Sequence, residues 1–395
     1  MVVIERFDRK DLTGELAVPM KEGRDVYFND VIRKMEEQGK VKFDPIPVSA
    51  EQPLFVIFTS GTTGKPKGAY HTTAGYLANI RYAMQFAWDI QADLWRNMNQ
   101  AQVEEIVTGA LAMKEHGNLD GVNLKVFQEA LAIFIQNITT QPLRKYPQEF
   151  NDVLKRSLTR LSDKLVSGKG TQGLSPADFE ILGDVLGNIA RNIWVSADDG
   201  WITGNSAMSD APLQLGMHSH LYEGLPNWPV PDRLWLLLEK FKINYYKTGV
   251  TAVRDASKGD ASLITRHNLT RYLRNSCSCA EPLYAFVQAF WETVILSGNK
   301  DGFANFFWRT EDGMFNFIPH PRGKRQKDDA SSIGAPWIQT KVLKLKKDAN
   351  DKVIGYEEAL PGEVGSVFIR HHPSMIRGLW GDEDRFRDIY WPEYA

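Results

Sequence analysis

The apolar run Pro53-Leu54-Phe55-Val56-Ile57-Phe58 empties directly into Thr59-Ser60-Gly61-Thr62-Thr63-Gly64-Lys65-Pro66-Lys67-Gly68. The run reads as a buried strand. The ten residues after it carry four hydroxyls, three glycines and two lysines. Glycine lets a backbone approach an oxyanion closely and turn its N–H groups inward. The hydroxyls add donors and the lysines add mobile positive charge. A strand that ends this way is built to hold phosphate. It is not a Walker A loop, because Pro66, and not Ser or Thr, follows Lys65. The competing reading is a polar surface turn, since glycine-rich polar turns are common.

A chain of 395 residues is long enough for two or three domains and a large core. Its 43% apolar and 24% charged residues are those of a soluble globular protein. A formal net charge of -2 gives no reason to expect nucleic acid or an anionic membrane as partner. No run of about 18 apolar residues is present to span a membrane. The charged start Met1-Val2-Val3-Ile4-Glu5-Arg6 shows no secretion signal. Two cysteines, Cys277 and Cys279, cannot form a disulfide framework, which favours a reducing, cytoplasmic setting. On a strand they share one face and read as two small buried side chains, not as half of a zinc site. His218 and His220, with Glu223, read as surface polar residues for want of any catalytic motif around them. The basic run 322–327 reads as a solvated loop, because Asp328 and Asp329 follow it.

Residues 1–50 look like a strand, a charged turn and an amphipathic helix through Val31, Ile32 and Met35 that stops near Gly39. Residues 76–94 read as a further helix. From about Arg96 to Arg191 glycine is sparse, strand signals vanish, and apolar residues recur at helical spacing. Ser175 and Pro176 supply an N-cap and a first helical residue within that stretch. Strands return at Ile243-Asn244-Tyr245-Tyr246 and 364–370, and residues 340–360 carry a β-hairpin pattern about an Asp348-Ala349-Asn350-Asp351 turn. Strands alternating with helices argue for α/β layers.

The turn 59–68, followed by His71-Thr72-Thr73-Ala74-Gly75-Tyr76-Leu77, resembles the nucleotide loop of the acetyl-CoA synthetase branch of the AMP-forming acyl-adenylate ligases. The stretches 18–26, 193–204 and 221–235 resemble the same family, as do 308–313 and 380–391. The resemblance implies layered sheets and helices of part of that family's large domain, interrupted by an all-α insert. The expected divisions are 1–95, the nucleotide-loop part, 96–191, the helical insertion, and 192–395, the remainder of the AMP-binding domain.

The resemblance also implies roles. Thr59, Ser60, Gly61, Thr62, Thr63, Gly64, Lys67 and Gly68 would hold the phosphates of ATP, with Lys65 as a catalytic cation. Thr310 and Glu311 would touch phosphate and metal, Glu311 being the Mg2+ ligand. Ala280, Glu281 and Pro282 stand where the family's Gly-Glu-Pro lines the adenine, with alanine in place of glycine. Asn305, Phe306 and Phe307 stand where it has Asp-Thr-Trp, Asn205 where it has histidine, and Val250 where it has proline. Ile202, Thr203, Cys279 and Trp308 would line the acid's pocket, and the Trp308 indole would leave room for acetate or propionate. CoA is the implied co-substrate, and the helical insert is a possible surface for a protein partner. The family's N-terminal part and its C-terminal lysine domain have no counterpart in the sequence, so weak or absent overall turnover by this chain alone is expected. Two readings stand: a short-acid ligase, or a non-catalytic derivative that binds nucleotide at most and uses the helical insert for interaction.

Overall fold

A computed structural model describes residues 2–3, 19–40, 44–60, 65–88, 90, 92–140, 148–187, 192–198, 200–273, 275–297, 303–318 and 333–390. The chain forms two compact units, residues 1–49 and 50–395. In the first, β1 (Val2–Val3) runs parallel to β2 (Val26–Tyr27), and α1 (Phe28–Glu37) follows. Gly39, at a φ of +67°, ends that helix as the sequence suggests.

The second unit opens with β3 (Pro53–Thr59), β4 (Lys67–Thr72) and α2 (Thr73–Ala87). β3 and β4 form an antiparallel hairpin whose register brings Thr59 opposite Lys67. The expectation of a buried strand needs correction. β3 is the edge of a three-stranded sheet, and Leu54 and Phe58 are 41% and 68% exposed. Its apolar residues on one face pack inward through Ile57, while the other face is open, the ordinary state of an antiparallel sheet. α2 is also shorter than the sequence pattern predicts, ending at Ala87, with a 3-10 turn at Ala92–Trp95.

Four helices come next: α3 (Gln100–His116), α4 (Leu124–Thr140), α5 (Gln148–Val166) and α6 (Pro176–Gly187). Each buries the stripe its spacing predicts, for example Phe127, Leu131 and Phe134 on α4 and Leu154, Leu158, Leu161 and Leu165 on α5. The start of α6 is a reciprocal cap. Ser175 Oγ accepts from the Asp178 amide at 3.2 Å, and Asp178 accepts from the Ser175 amide at 2.9 Å. Burial raises the Asp178 carboxyl, but hydrogen bonds from Ser157 and Ser175 and the Arg160 charge hold it below the usual range.

A five-stranded parallel sheet carries the rest: β5 (Asn192–Val195), β6 (His218–His220), β7 (Tyr245–Gly249), β8 (Asn275–Cys279) and β9 (Phe303–Asn305), in the order β6-β5-β7-β8-β9. Parallel sheets are stable when both faces are covered, and alternation along the strands meets that need. Ile193, Val195, Tyr245 and Cys277 join the core shared with α2 to α6. Trp194 and Tyr246 face a second core with Leu234, Trp235, Leu237 and Leu238 of α8 (Arg233–Lys240), α7 being the short Ala211–Gln214. α9 (Val250–Lys258), α10 (Ser262–Thr265) and α11 (Ala285–Phe290) complete that face.

The C-terminal part holds β10 (Phe317–Ile318) paired with β11 (Ile333–Gly334). The expected hairpin follows as β12 (Thr340–Lys347) and β13 (Val353–Glu358), with β14 (Ser366–Ile369) on the other edge of β12. β15 (Gly378–Leu379) adds to β4, and α12 (Glu383–Tyr390) is the last described helix.

Candidate active site

Lys67 is the first residue of β4, three positions after the segment 61–64, which lies outside the described residues. Lys67 Nζ donates to the Tyr390 hydroxyl at 2.8 Å and stands 3.5 Å from Glu311 Oε1. Tyr390, at the end of α12, donates in turn to Glu311 at 2.7 Å. Burial raises the Glu311 carboxyl, but the Tyr390 hydrogen bond and the charges of Lys67 and Arg309 outweigh it and hold the group below the usual carboxylate range. Burial and the hydrogen bond to Glu311 push the Tyr390 hydroxyl up.

Glu311 owes its place to backbone ties. His71, fully buried on β4, sets Nε2 2.9 Å from the Thr310 carbonyl and Nδ1 2.9 Å from the Ser374 carbonyl. The Ile376 amide donates to the Glu311 carbonyl at 2.9 Å. Asp312, fully buried, clamps Arg309 at 2.8 Å. The 3-10 turn Thr310–Asp312 is thereby fixed against β4.

Lys67, and not Lys65, is the lysine that meets Glu311. Lys65 is exposed and pairs with Asp382 at 3.6 Å, while Arg385 donates to the Lys65 carbonyl at 2.8 Å. Thr59 Oγ1 is buried with no hydrogen-bond partner among the described residues. Gly68 is packed under Phe58 and Val56, where an added Cβ would come within 3.1 and 3.2 Å of their side chains. Ser60 is exposed.

A cavity of about 630 Å³ borders Glu311 and Tyr390, and Arg309, Lys341, Arg370 and His371 also line it. A larger one, about 1270 Å³, lies at the carboxyl ends of β5 and β7. Its charged lining is Asp198, Glu223, Asp255 and Asp260, with no basic residue, so it repels phosphate. The smaller cavity instead carries the cationic side chains Arg309, Lys341 and Arg370 beside Glu311.

The residues expected at the acid's pocket meet around β8. Cys279 is buried, its Sγ stands 4.0 Å from the Thr248 carbonyl, and Thr203 lies close enough to act on the thiol. Ile202 belongs to the same buried cluster as Cys277, with Trp308 packed against it. The expected adenine residues follow β8 on the surface. Ala280, Glu281 and Pro282 are exposed, and Glu281 accepts from the Thr251 hydroxyl and lies 3.9 Å from Arg254. Ala280 sits at a φ of +77°, the left-handed region that glycine occupies without strain. His218 and His220 lie on β6, half-buried, and among the described residues no cluster of three His, Cys or carboxylate groups could hold a metal. The run 322–327 lies outside the described residues.

Two roles at these sites escaped the sequence pattern: His71 entered it only as part of the 71–77 stretch, with no sign of its tie to Thr310 across 239 positions, and Lys247, fully buried on β7 beside Trp308, carried no signal. Long-range contacts of this kind leave no periodicity to read.

A family model described as AMP-binding enzyme matches residues 4–103. The acetyl-coenzyme A synthetase of Bdellovibrio bacteriovorus is 26% identical over 378 residues, 95% of this chain and 41% of that protein. That of Mycolicibacterium smegmatis is 25% identical over 378 residues, 96% of this chain and 29% of that protein. That of Pyrobaculum aerophilum is 25% identical over 398 residues, 100% of this chain and 42% of that protein. By sequence, the chain resembles the AMP-binding enzymes of the acetyl-CoA synthetase kind. It spans about two fifths of the length of these relatives, or less.

Among the described residues, no helix is long and apolar enough to cross a membrane. The groups at Glu311 fit what a magnesium nucleotide needs: one lowered carboxylate and a lysine beside it. An ion there would be held by Glu311 with phosphate oxygens and water, as Mg2+ commonly is.

Proposed function

We propose that the chain provides the nucleotide and acid sites for ATP-dependent activation of a short carboxylic acid to its acyl-adenylate, which CoA would then intercept. The observation that carries this reading is the Lys67–Glu311–Tyr390 cluster at the foot of the glycine-rich turn.

In the proposed reaction the acid's carboxylate attacks the α-phosphorus of ATP, and the bond to pyrophosphate breaks. Lys67 and Lys65, with the hydroxyls and amides of residues 59–64 and 68, neutralise the departing pyrophosphate. Charge that develops on phosphate oxygens is best stabilised by donors already in place. Glu311, kept ionised by its neighbours, would hold Mg2+, with Thr310 toward the phosphate; the ion would supply Lewis-acid charge neutralisation. Tyr390 keeps Glu311 oriented, and His71 keeps the turn that carries it. Ala280, Glu281 and Pro282 flank the adenine, and Glu281 is itself held by Thr251. Ile202, Thr203, Cys279 and Trp308 enclose the acid, acetate being the smallest that they would take. Cys279 ends β8, and the carboxyl ends of strands are where α/β sheets commonly bind ligands, which supports the assignment of the acid there.

The test is acid-dependent exchange of labelled pyrophosphate into ATP. Exchange that falls by about 100-fold or more in Glu311→Gln and Lys67→Met is the expected outcome. A smaller loss is expected for Lys65→Met, because that side chain already lies in solvent. ATP binding with no exchange would favour a non-catalytic nucleotide-binding role instead.

A further inference from the structure

Lys247 is a lysine where none is expected. It stands in the middle of a parallel sheet, on β7, opposite Val195 of β5 and Cys277 of β8. It is fully buried, and its Nζ has no hydrogen-bond partner among the described residues. Its three N–H donors face aromatic rings instead. Nζ lies 3.9 Å from the Trp308 ring centre, 4.7 Å from that of Phe315 and 5.9 Å from that of Trp88. Ring faces attract a cation but accept no full hydrogen bond, so the amine keeps its donors while paying desolvation. Burial lowers its basicity, while the neighbouring thiols of Cys279 and Cys277 act the other way.

In the acyl-adenylate reading, the rings and thiols around Lys247 belong to the acid's pocket. Trp308 is its nearest ring, and Cys279 lies within its field. Trp308 is also three residues from Glu311, a span of at most about 11 Å even in extended chain. On that reading, a short acid activated at the phosphate cluster would extend toward Trp308 and the amine beneath it. Acetate or propionate would present a methyl group to the unpaired amine and leave its donors unsatisfied. An acid with a second carboxylate would supply the missing acceptors and a counter-charge, which is the strong kind of hydrogen bond.

We propose that Lys247 is the specificity-determining residue of this pocket, and that its ammonium binds the distal carboxylate of a short dicarboxylic acid of the malonate or succinate class. The inference rests on the acyl-adenylate reading for the place of the acid and the fate of its other carboxylate, and on the buried, unpartnered amine for the binding of the distal one. Trp308 and Phe315 then steer the ammonium, and the bound anion completes the charge balance of the core.

The test titrates malonate, succinate, acetate and propionate into the full chain by calorimetry, with and without ATP and Mg2+, for the unmodified protein, Lys247→Met and Lys247→Arg. Methionine matches the length and apolar stem of lysine, so the core stays filled. Malonate or succinate binding about ten-fold or more tighter than acetate and propionate is expected, with that ratio falling to about one in Lys247→Met. Lys247→Arg retains part of the preference. A dicarboxylate that binds no more tightly than propionate to the unmodified protein overturns the proposal, and this comparison stands even if Lys247→Met does not fold. Equal dicarboxylate affinity in the unmodified protein and Lys247→Met overturns it as well. Lys247-dependent dicarboxylate binding without pyrophosphate exchange would sustain the site and remove the ligase reading. Exchange with acetate alone would do the reverse.

Discussion

Ala280 spends its place after β8 at a φ of +77°, where a Cβ crowds the backbone. The methyl that distinguishes this chain from the Gly-Glu-Pro pattern thus bears on the backbone as well as on any stacked base. Ala280→Gly removes a strain of roughly 1–2 kcal/mol and gives back part of it in unfolded-chain entropy. A net gain of about 1 kcal/mol in urea unfolding is the expected outcome. No gain, or a loss, would mean that the turn relaxes to suit alanine. Tyr390 is the other informative side chain at this scale. Tyr390→Phe strips Glu311 and Lys67 of the hydroxyl between them. Losing one such hydrogen bond costs about 1 kcal/mol of stability. A larger effect on pyrophosphate exchange than on unfolding would mark Tyr390 as a positioning residue.

At the scale of elements, the helices of 100–187 are joined by close packing and not by propensity. Gly109 of α3 lies directly beneath the Phe127 ring of α4, where an added Cβ would stand 2.3 Å from Cε2. Intrinsic propensity favours alanine over glycine inside a helix by about 1 kcal/mol. Overpacking costs about 1–3 kcal/mol, and at 2.3 Å the ring has to move. Packing wins, so Gly109→Ala is expected to lower stability by roughly 1–2 kcal/mol in chemical denaturation. A stabilised variant would show that α3 and α4 can separate freely. The helix starts and faces of this stretch were legible because caps and stripes are local: Ser175, Pro176 and the leucines of α5 are enough. The site of close approach was not, since Gly109 looks like any weak point in a helix until its neighbour is known.

For the whole molecule, four histidines decide how folding responds to acid. Burial, first, lowers His71, His220, His371 and His372 below the ordinary imidazole value of 6.5, with His218 adding to the effect at His220 and Arg377 at His371. In each case the unfolded chain binds the proton more readily than the folded one. Stability from these groups is complete above about pH 6.5 and is lost as pH falls through the folded values. The urea midpoint should therefore drop between pH 7.5 and pH 5.5. The lowered carboxylates Asp178, Glu239 and Glu311 extend the loss to more acid solution. A midpoint that stays level or rises over the first interval would contradict the burial of these rings. One core runs from α2 through α3–α6 to β5 and β8, so the helices and the parallel sheet are expected to unfold in a single transition by circular dichroism and tryptophan fluorescence.

The sequence by itself determined the α/β layering, the helical stretch and the late hairpin. These rest on periodicity, capping and turn chemistry, which act between residues a few positions apart. Only the tertiary structure decided that β3 is an exposed edge and that Lys67 and not Lys65 meets Glu311. The same holds for Tyr390 closing that cluster and for the unpaired lysine under Trp308. Those facts depend on contacts between residues as much as 323 positions apart. Strand order, side-chain reach and burial set them, and none of the three has a local signature in the chain.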